Sequence, residues 1–156
     1  MLQFGLEGRR VLDLFSGSGQ MALEALSRGA ASAILVDAGK SAIEVIKRNA
    51  QRTKLEARAR ILCSDALRYL DTCKESPFHL VFLDPPYAAG LLPQCLARLV
   101  DRGLLAPGAL IVCESGAPED VFGKNAVLKE KLEVLKATRY GVAHVTILTP
   151  KKEGDA

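Results

Sequence analysis

Short uninterrupted apolar runs alternate along this chain with longer stretches in which apolar residues recur every three or four positions. The first kind reads as buried strand and the second as amphipathic helix. Residues 10–15, 33–36, 60–63 and 79–83 are too short for helices and rich in leucine, isoleucine and valine. Between them, 20–28 carries Met21, Leu23, Ala25 and Leu26 up to a stop at Gly29, and 41–53 puts Ile43, Ile46 and Ala50 on one face. A short helix runs through Leu67 and Leu70, and Leu91–Asp101 is the helix after the fourth strand. Residues 105–108 read as a turn into a fifth strand, 109–114. This alternation predicts an α/β fold, a mainly parallel sheet with helices on both faces. After Glu114 the pattern changes. Leu132–Tyr140 and 142–149 read as strands separated by little more than Gly141, a hairpin that ends the sheet antiparallel. The charged residues 151–156 read as a disordered tail, which leaves 1–150 as one domain.

Composition narrows the class. With 156 residues, 49% of them hydrophobic and 25% charged, the chain is neither disordered nor collagen-like, and no apolar run reaches a membrane span's roughly 18 to 20 residues. The first ten residues lack the apolar core of a signal peptide, which points to the cytoplasm. Cys63, Cys73, Cys95 and Cys113 show no C-x-x-C spacing, and the two histidines, His79 and His144, are far apart. Free buried thiols in a reducing compartment are expected, and no metal site. The net charge of +3 says little about nucleic acid, but residues 44–60 hold six basic side chains against two acidic ones. That segment is either a solvated helix face and loop or a phosphate-binding patch.

In open α/β sheets, ligands bind beyond the carboxyl ends of the strands, and polar residues collect there in this chain. The first strand runs into Asp13-Leu14-Phe15-Ser16-Gly17-Ser18-Gly19, where glycines permit close backbone approach and the following helix offers free N–H groups. By itself this is equally a tight turn or, with Ala22 in the third small position, a dinucleotide fingerprint. Asp37 ends the second strand 18 residues after Gly19, near the spacing at which a carboxylate accepts from a ribose diol. Ser64-Asp65-Ala66 follows the third strand, where Asp65 can accept from an exocyclic amine such as adenine N6 or cap the next helix. The fourth strand ends at Asp84-Pro85-Pro86-Tyr87. Two prolines remove two backbone donors, so a planar amine finds acceptors in the Asp84 side chain and the Pro85 carbonyl, with the Tyr87 ring as a stacking face.

This order of strand-end sites resembles a class I S-adenosylmethionine-dependent methyltransferase, and D-P-P-Y resembles the motif of those that act on exocyclic or amide nitrogens. Residues 11–19, the run 24–30, Asp84-Pro85-Pro86-Tyr87 and Arg139-Tyr140-Gly141 are similar to the bacterial 16S ribosomal RNA guanine-N2 methyltransferase family. The resemblance implies a Rossmann-like, seven-stranded sheet closed by the antiparallel hairpin. It implies S-adenosylmethionine as methyl donor, S-adenosylhomocysteine as product, and ribosomal RNA, within a small-subunit particle, as substrate. By the same resemblance, Asp13, Phe15, Ser16, Gly17 and Gly19 hold the methionine end, Asp37 the ribose, and Ser64, Asp65 and Ala66 the adenine. Asp84, Pro85, Pro86 and Tyr87 hold the target base. Two departures stand out. Only twelve residues precede Asp13, where the family has a hairpin and helix that help close the site and grip RNA, so weaker RNA binding is expected. Gln20-Met21-Ala22 stands where small residues and a glycine are more frequent, a change expected in helix packing.

Three other functions are compatible with parts of the pattern. A nucleotide-dependent dehydrogenase explains the glycine loop and leaves D-P-P-Y without a role. A methyltransferase for protein amides or another base uses the same turn. A silent S-adenosylmethionine-binding homologue fits the short N-terminus.

Overall fold

The computed structural model describes residues 5–86 and 90–152. Seven strands form one sheet: β1 (Arg10–Leu14), β2 (Ser32–Asp37), β3 (Ala59–Cys63), β4 (Phe78–Leu83), β5 (Leu105–Ser115), β6 (Leu132–Tyr140) and β7 (Ala143–Pro150). Their spatial order is β3-β2-β1-β4-β5-β7-β6, with β1 to β5 parallel and β7 antiparallel to both β5 and β6. The helices are α1 (Gln20–Ser27), α2 (Lys40–Arg52), α3 (Ala66–Thr72), α4 (Leu91–Asp101) and α5 (Ala126–Lys131). This is the class I methyltransferase architecture expected above.

The apolar runs are continuous because both faces of the parallel strands are covered. Leu12, Leu14, Val36, Val81, Leu83, Ile111 and Cys113 share a core with α3, α4 and α5. The alternate residues Val11, Leu35, Leu80, Phe82 and Val112 pack with Ala22, Leu26, Ile43 and Ile46 of α1 and α2. Going outward from β1, the chain fills one side with β2 and β3, then returns to place β4 on the other. Between β1 and β4 the strand order reverses, which opens a crevice at their carboxyl ends.

Three expectations change. Residues 105–108 are not a turn before β5 but its first part: Phe78 pairs with Leu105, and the register then shifts so that Leu80 pairs with Leu110. The bulge absorbs Pro107 and Gly108, whose φ is +73°. Helix α5 lies where no element was expected, and the Asn125 side chain caps it by accepting the Leu128 N–H at 3.2 Å. All four cysteines are free, but Cys63 is exposed, because β3 is an edge strand; Cys73, Cys95 and Cys113 are buried as expected. Among the described residues no helix is long and apolar enough to cross a membrane.

Gly19 is the position where packing demands glycine. Its φ is +80°, and an added Cβ would lie 3.1 Å from both Ile46 Cγ2 and Leu35 Cδ2. Gly17, at φ +62°, faces open space. Gly19→Ala should therefore cost about 2–4 kcal/mol, combining left-handed strain with overpacking, against about 1–2 kcal/mol for Gly17→Ala. Urea unfolding of the two variants measures the difference, and equal losses would show that the contact with α2 yields freely.

Candidate functional site

The loop between β1 and α1 is organised by carboxylates. Asp13, in β1, is only 4% exposed, and its Oδ2 accepts the Ser16 hydroxyl at 3.1 Å. It also accepts the Ala22 N–H, one of the first-turn donors that a helix cannot satisfy internally. Burial pushes Asp13 up to about 7; the donors from Ser16 and Ala22 oppose this, while the carboxylates of Asp84 and Asp37 add to it. Phe15 reverses the chain at φ +63°, a left-handed conformation rare for a bulky side chain, and its ring packs against the α3–α4 core. The Ser16 N–H then bridges to the Val36 carbonyl at 2.9 Å, and Asn49 Nδ2 of α2 donates to the Ser18 carbonyl at 2.9 Å.

Asp37, at the end of β2, uses both oxygens to hold backbone. Oδ2 accepts the Gly17 N–H at 2.9 Å and Oδ1 the Gly39 N–H at 2.8 Å. Each oxygen retains lone-pair capacity for a further donor. Beyond β3, Ser64 N–H donates to the Asp37 carbonyl at 3.0 Å. Asp65 caps α3 by accepting the Arg68 N–H at 3.0 Å. Capping occupies Oδ2, so the exposed Asp65 can still present Oδ1. The buried Ala66 occupies the first position of α3, where its N–H has no intrahelical acceptor.

Past β4, Asp84 opens to solvent, Pro85 is buried and Pro86 is exposed; Tyr87 lies outside the described residues. Partial desolvation first, then the charge of Glu114 and a hydrogen bond with it, push Asp84 up to about 6. Glu114 was not among the expected site residues. Its sequence signal was its position at the end of the expected fifth strand, 109–114, as Asp37 ends the second; the structure adds that Leu83 pairs with Cys113 one residue earlier.

The structure thus brings Asp13, Asp37, Asp84 and Glu114 to neighbouring strand ends, with Ser64, Asp65 and Ala66 beyond β3. Among the described residues no group of three or more His, Cys, Asp or Glu side chains is arranged to hold a metal ion. The basic segment 44–60 divides. All six basic side chains are exposed, but Arg58 also donates to the Ala30 and Leu26 carbonyls and Arg60 to Glu75 at 2.9 Å. Arg58 and Arg60 serve the fold at the amino ends of the strands, the opposite edge from the carboxylates.

Comparison with known proteins agrees with this geometry. The family model described as conserved hypothetical protein 95 matches residues 1–149. Ribosomal RNA small subunit methyltransferase D of Escherichia coli (strain K12) is 41% identical over 104 residues, covering 67% of this chain and 52% of the relative. The chain therefore matches about half the length of that relative. The Haemophilus influenzae protein of the same name is 33% identical over 124 residues, 77% of this chain and 64% of that one. Among solved structures, a conserved hypothetical protein of Streptococcus pyogenes shares 36% identity at a TM-score of 0.79, covering 93% of this chain and 88% of its own.

The raised Asp13 value has a consequence for stability. A carboxyl held at about 7 in the fold against its ordinary 3.8 disfavours folding once it must ionise, so its penalty grows as pH rises from about 4 and levels off above 7. The full penalty is roughly 4 kcal/mol. Asp13→Asn should therefore gain stability relative to the wild type at about pH 8, with the gain shrinking towards about pH 5. Urea unfolding at both values checks this; equal destabilisation at both would show that Asp13 serves the loop as a charged cap.

Proposed function

The chain belongs to the conserved hypothetical protein 95 family, a family of 16S ribosomal RNA methyltransferases, and we propose that it transfers a methyl group from S-adenosylmethionine to the N2 amine of a guanine in 16S ribosomal RNA. The observation that carries this reading is the placement of Asp84 and Pro85 at the carboxyl end of β4, directly across the strand-order reversal from the β1 loop. A loop able to hold a nucleoside faces a turn able to hold an amine.

The residues present fit S-adenosylmethionine. Asp37 keeps lone pairs for a ribose diol, Asp65 Oδ1 and the Ala66 N–H suit an adenine edge, and the negative field of Asp13 and Asp84 suits a ligand with an ammonium and a sulfonium. Phe15, Ser16, Gly17 and Gly19 shape the loop that would receive its methionine end. When bound, that cofactor supplies an electrophilic methyl group on sulfur and departs as S-adenosylhomocysteine.

The protein's own task is to hold and orient the amine. Guanine N2 is a poor nucleophile because its lone pair is delocalised into the ring. Hydrogen bonds from its two N–H groups to Asp84 and the Pro85 carbonyl favour a pyramidal nitrogen and stabilise the positive charge that grows as the N–C bond forms. Pro86 fixes the turn, and Tyr87 supplies a stacking face. Once methylated, the nitrogen is strongly acidic and loses its proton to Asp84 or to water. Alignment of the amine contributes most of the acceleration. A base inside a duplex cannot reach the crevice, so the target is looped, single-stranded or flipped. In this reading, residues 1–150 are the catalytic domain, working in the cytoplasm on a small-subunit particle.

Incubation with labelled S-adenosylmethionine and small subunits from an unmethylated strain, followed by nucleoside analysis, should yield N2-methylguanosine. Labelled protein or N6-methyladenosine would overturn the substrate. Asp84→Ala should lower turnover by about a hundredfold or more while S-adenosylhomocysteine affinity stays within a few-fold. Because Asp84 titrates near 6, wild-type turnover should rise with pH through about 6, as its carboxylate becomes able to accept. Near-normal turnover of the variant would remove Asp84 from the amine-holding role.

A further inference from the structure

Glu114 has no part in the reaction as just described, yet it stands against the residue at its centre. Leu83 of β4 pairs with Cys113 of β5, so Asp84 and Glu114 follow side by side on adjacent parallel strands and, by the two-residue period, on the same sheet face. Their carboxylates are in hydrogen-bonding contact. On its other side Glu114 pairs with Val145 of β7, which packs against the α1–α2 core and offers no charge. Among the described residues, none of the ion pairs involves Asp84 or Glu114.

Two touching carboxylates make a site that wants donors. With no proton between them, lone pair faces lone pair. A ligand that brings N–H groups to both relieves this, whereas one that brings a donor to the first and a bare lone pair to the second makes it worse. Nucleobases differ in this respect. Guanine presents N1–H beside the two hydrogens of N2, donors in a row. Adenine and cytosine each present an amine beside an unprotonated ring nitrogen.

We propose that Glu114 is the specificity-determining residue for guanine, its carboxylate accepting the N1–H while Asp84 and the Pro85 carbonyl hold the N2 amine. This rests on the reading of the Asp84-Pro85 turn as the amine-holding site. The contact also assists the reaction, since a carboxylate on N1–H pushes electron density into the ring and lessens its pull on the N2 lone pair. A base with its amine beside a lone pair meets Glu114 acceptor to acceptor and is rejected.

The test uses 2-aminopurine, which keeps the exocyclic amine of guanine and lacks the N1 hydrogen. Small subunits are assembled with 16S RNA carrying either guanine or 2-aminopurine at the position that the wild type methylates. Methyl transfer to each is measured for the wild type, Glu114→Gln and Glu114→Ala, with S-adenosylhomocysteine binding as the check of an intact fold. The wild type should prefer guanine by about a hundredfold in kcat/KM, the usual scale for a charge-assisted hydrogen bond. Glu114→Ala should lose most of that preference by losing activity on guanine, and Glu114→Gln, which keeps a carbonyl acceptor, should retain part of it. A wild type that methylates both bases alike overturns the proposal, as does a Glu114→Ala protein with the preference intact. Should Glu114→Ala fail to bind S-adenosylhomocysteine, the wild-type ratio and the near-isosteric Glu114→Gln decide. If the wild type forms no N2-methylguanosine at all, the amine-holding reading itself fails. If it does and the preference survives in the variants, only the role of Glu114 fails.

Discussion

The Asp13 carboxylate, shut inside the protein near the end of β1, is the constraint around which the crevice is arranged. A charge withdrawn from water needs donors aimed at it or a proton on it. The chain meets this locally: the Ser16 hydroxyl and the Ala22 N–H converge on Asp13, and to bring them there the backbone turns back through Phe15 and starts α1 over the end of β1. Asp37 anchors the outside of the same loop through the Gly17 and Gly39 N–H groups. The loop shape follows from satisfying two carboxylates with backbone and hydroxyl donors, and Gly19 lets it close against α2.

The parallel register extends this local solution into a field. Asp13 pairs with Leu35 on one side and Phe82 on the other, and Phe82 pairs with Val112. Two residues on from these partners come Asp37, Asp84 and Glu114, on the same face because side chains alternate. The acids therefore converge without any long-range contact built for the purpose. Their mutual repulsion, added to desolvation, is visible in the upward shifts of Asp13 and Asp84. Such a crevice favours ligands that bring positive charge or N–H donors, and disfavours its own empty, fully ionised state.

The strands were legible because burial on both faces leaves continuous apolar runs, and α1, α2 and α4 because their polar faces keep the helical period. Legibility failed where a residue's environment comes from a distant partner. Residues 105–108 look like a turn through Pro107 and Gly108, yet pairing of Leu105 with Phe78 makes them a bulged strand. Helix α5 is a six-residue helix, too short to show a period. Arg58 and Arg60 read as part of a free basic surface, yet the Leu26 and Ala30 carbonyls hold the first and Glu75 the second. The left-handed Phe15 carries no sequence signal at all.

Residue types and their spacing by themselves determined the α/β class, the antiparallel close of the sheet and the acids at Asp13, Asp37, Asp65 and Asp84, because these depend on local period and on what a strand end exposes. Only the tertiary structure decided how those acids are used. Strand order and register set which carboxylates touch, and burial sets which are costly to ionise. That is why Asp37 is a clamp on two backbone N–H groups, why Asp65 is also a helix cap, and why Glu114, one more strand-end acid in the sequence, stands against Asp84.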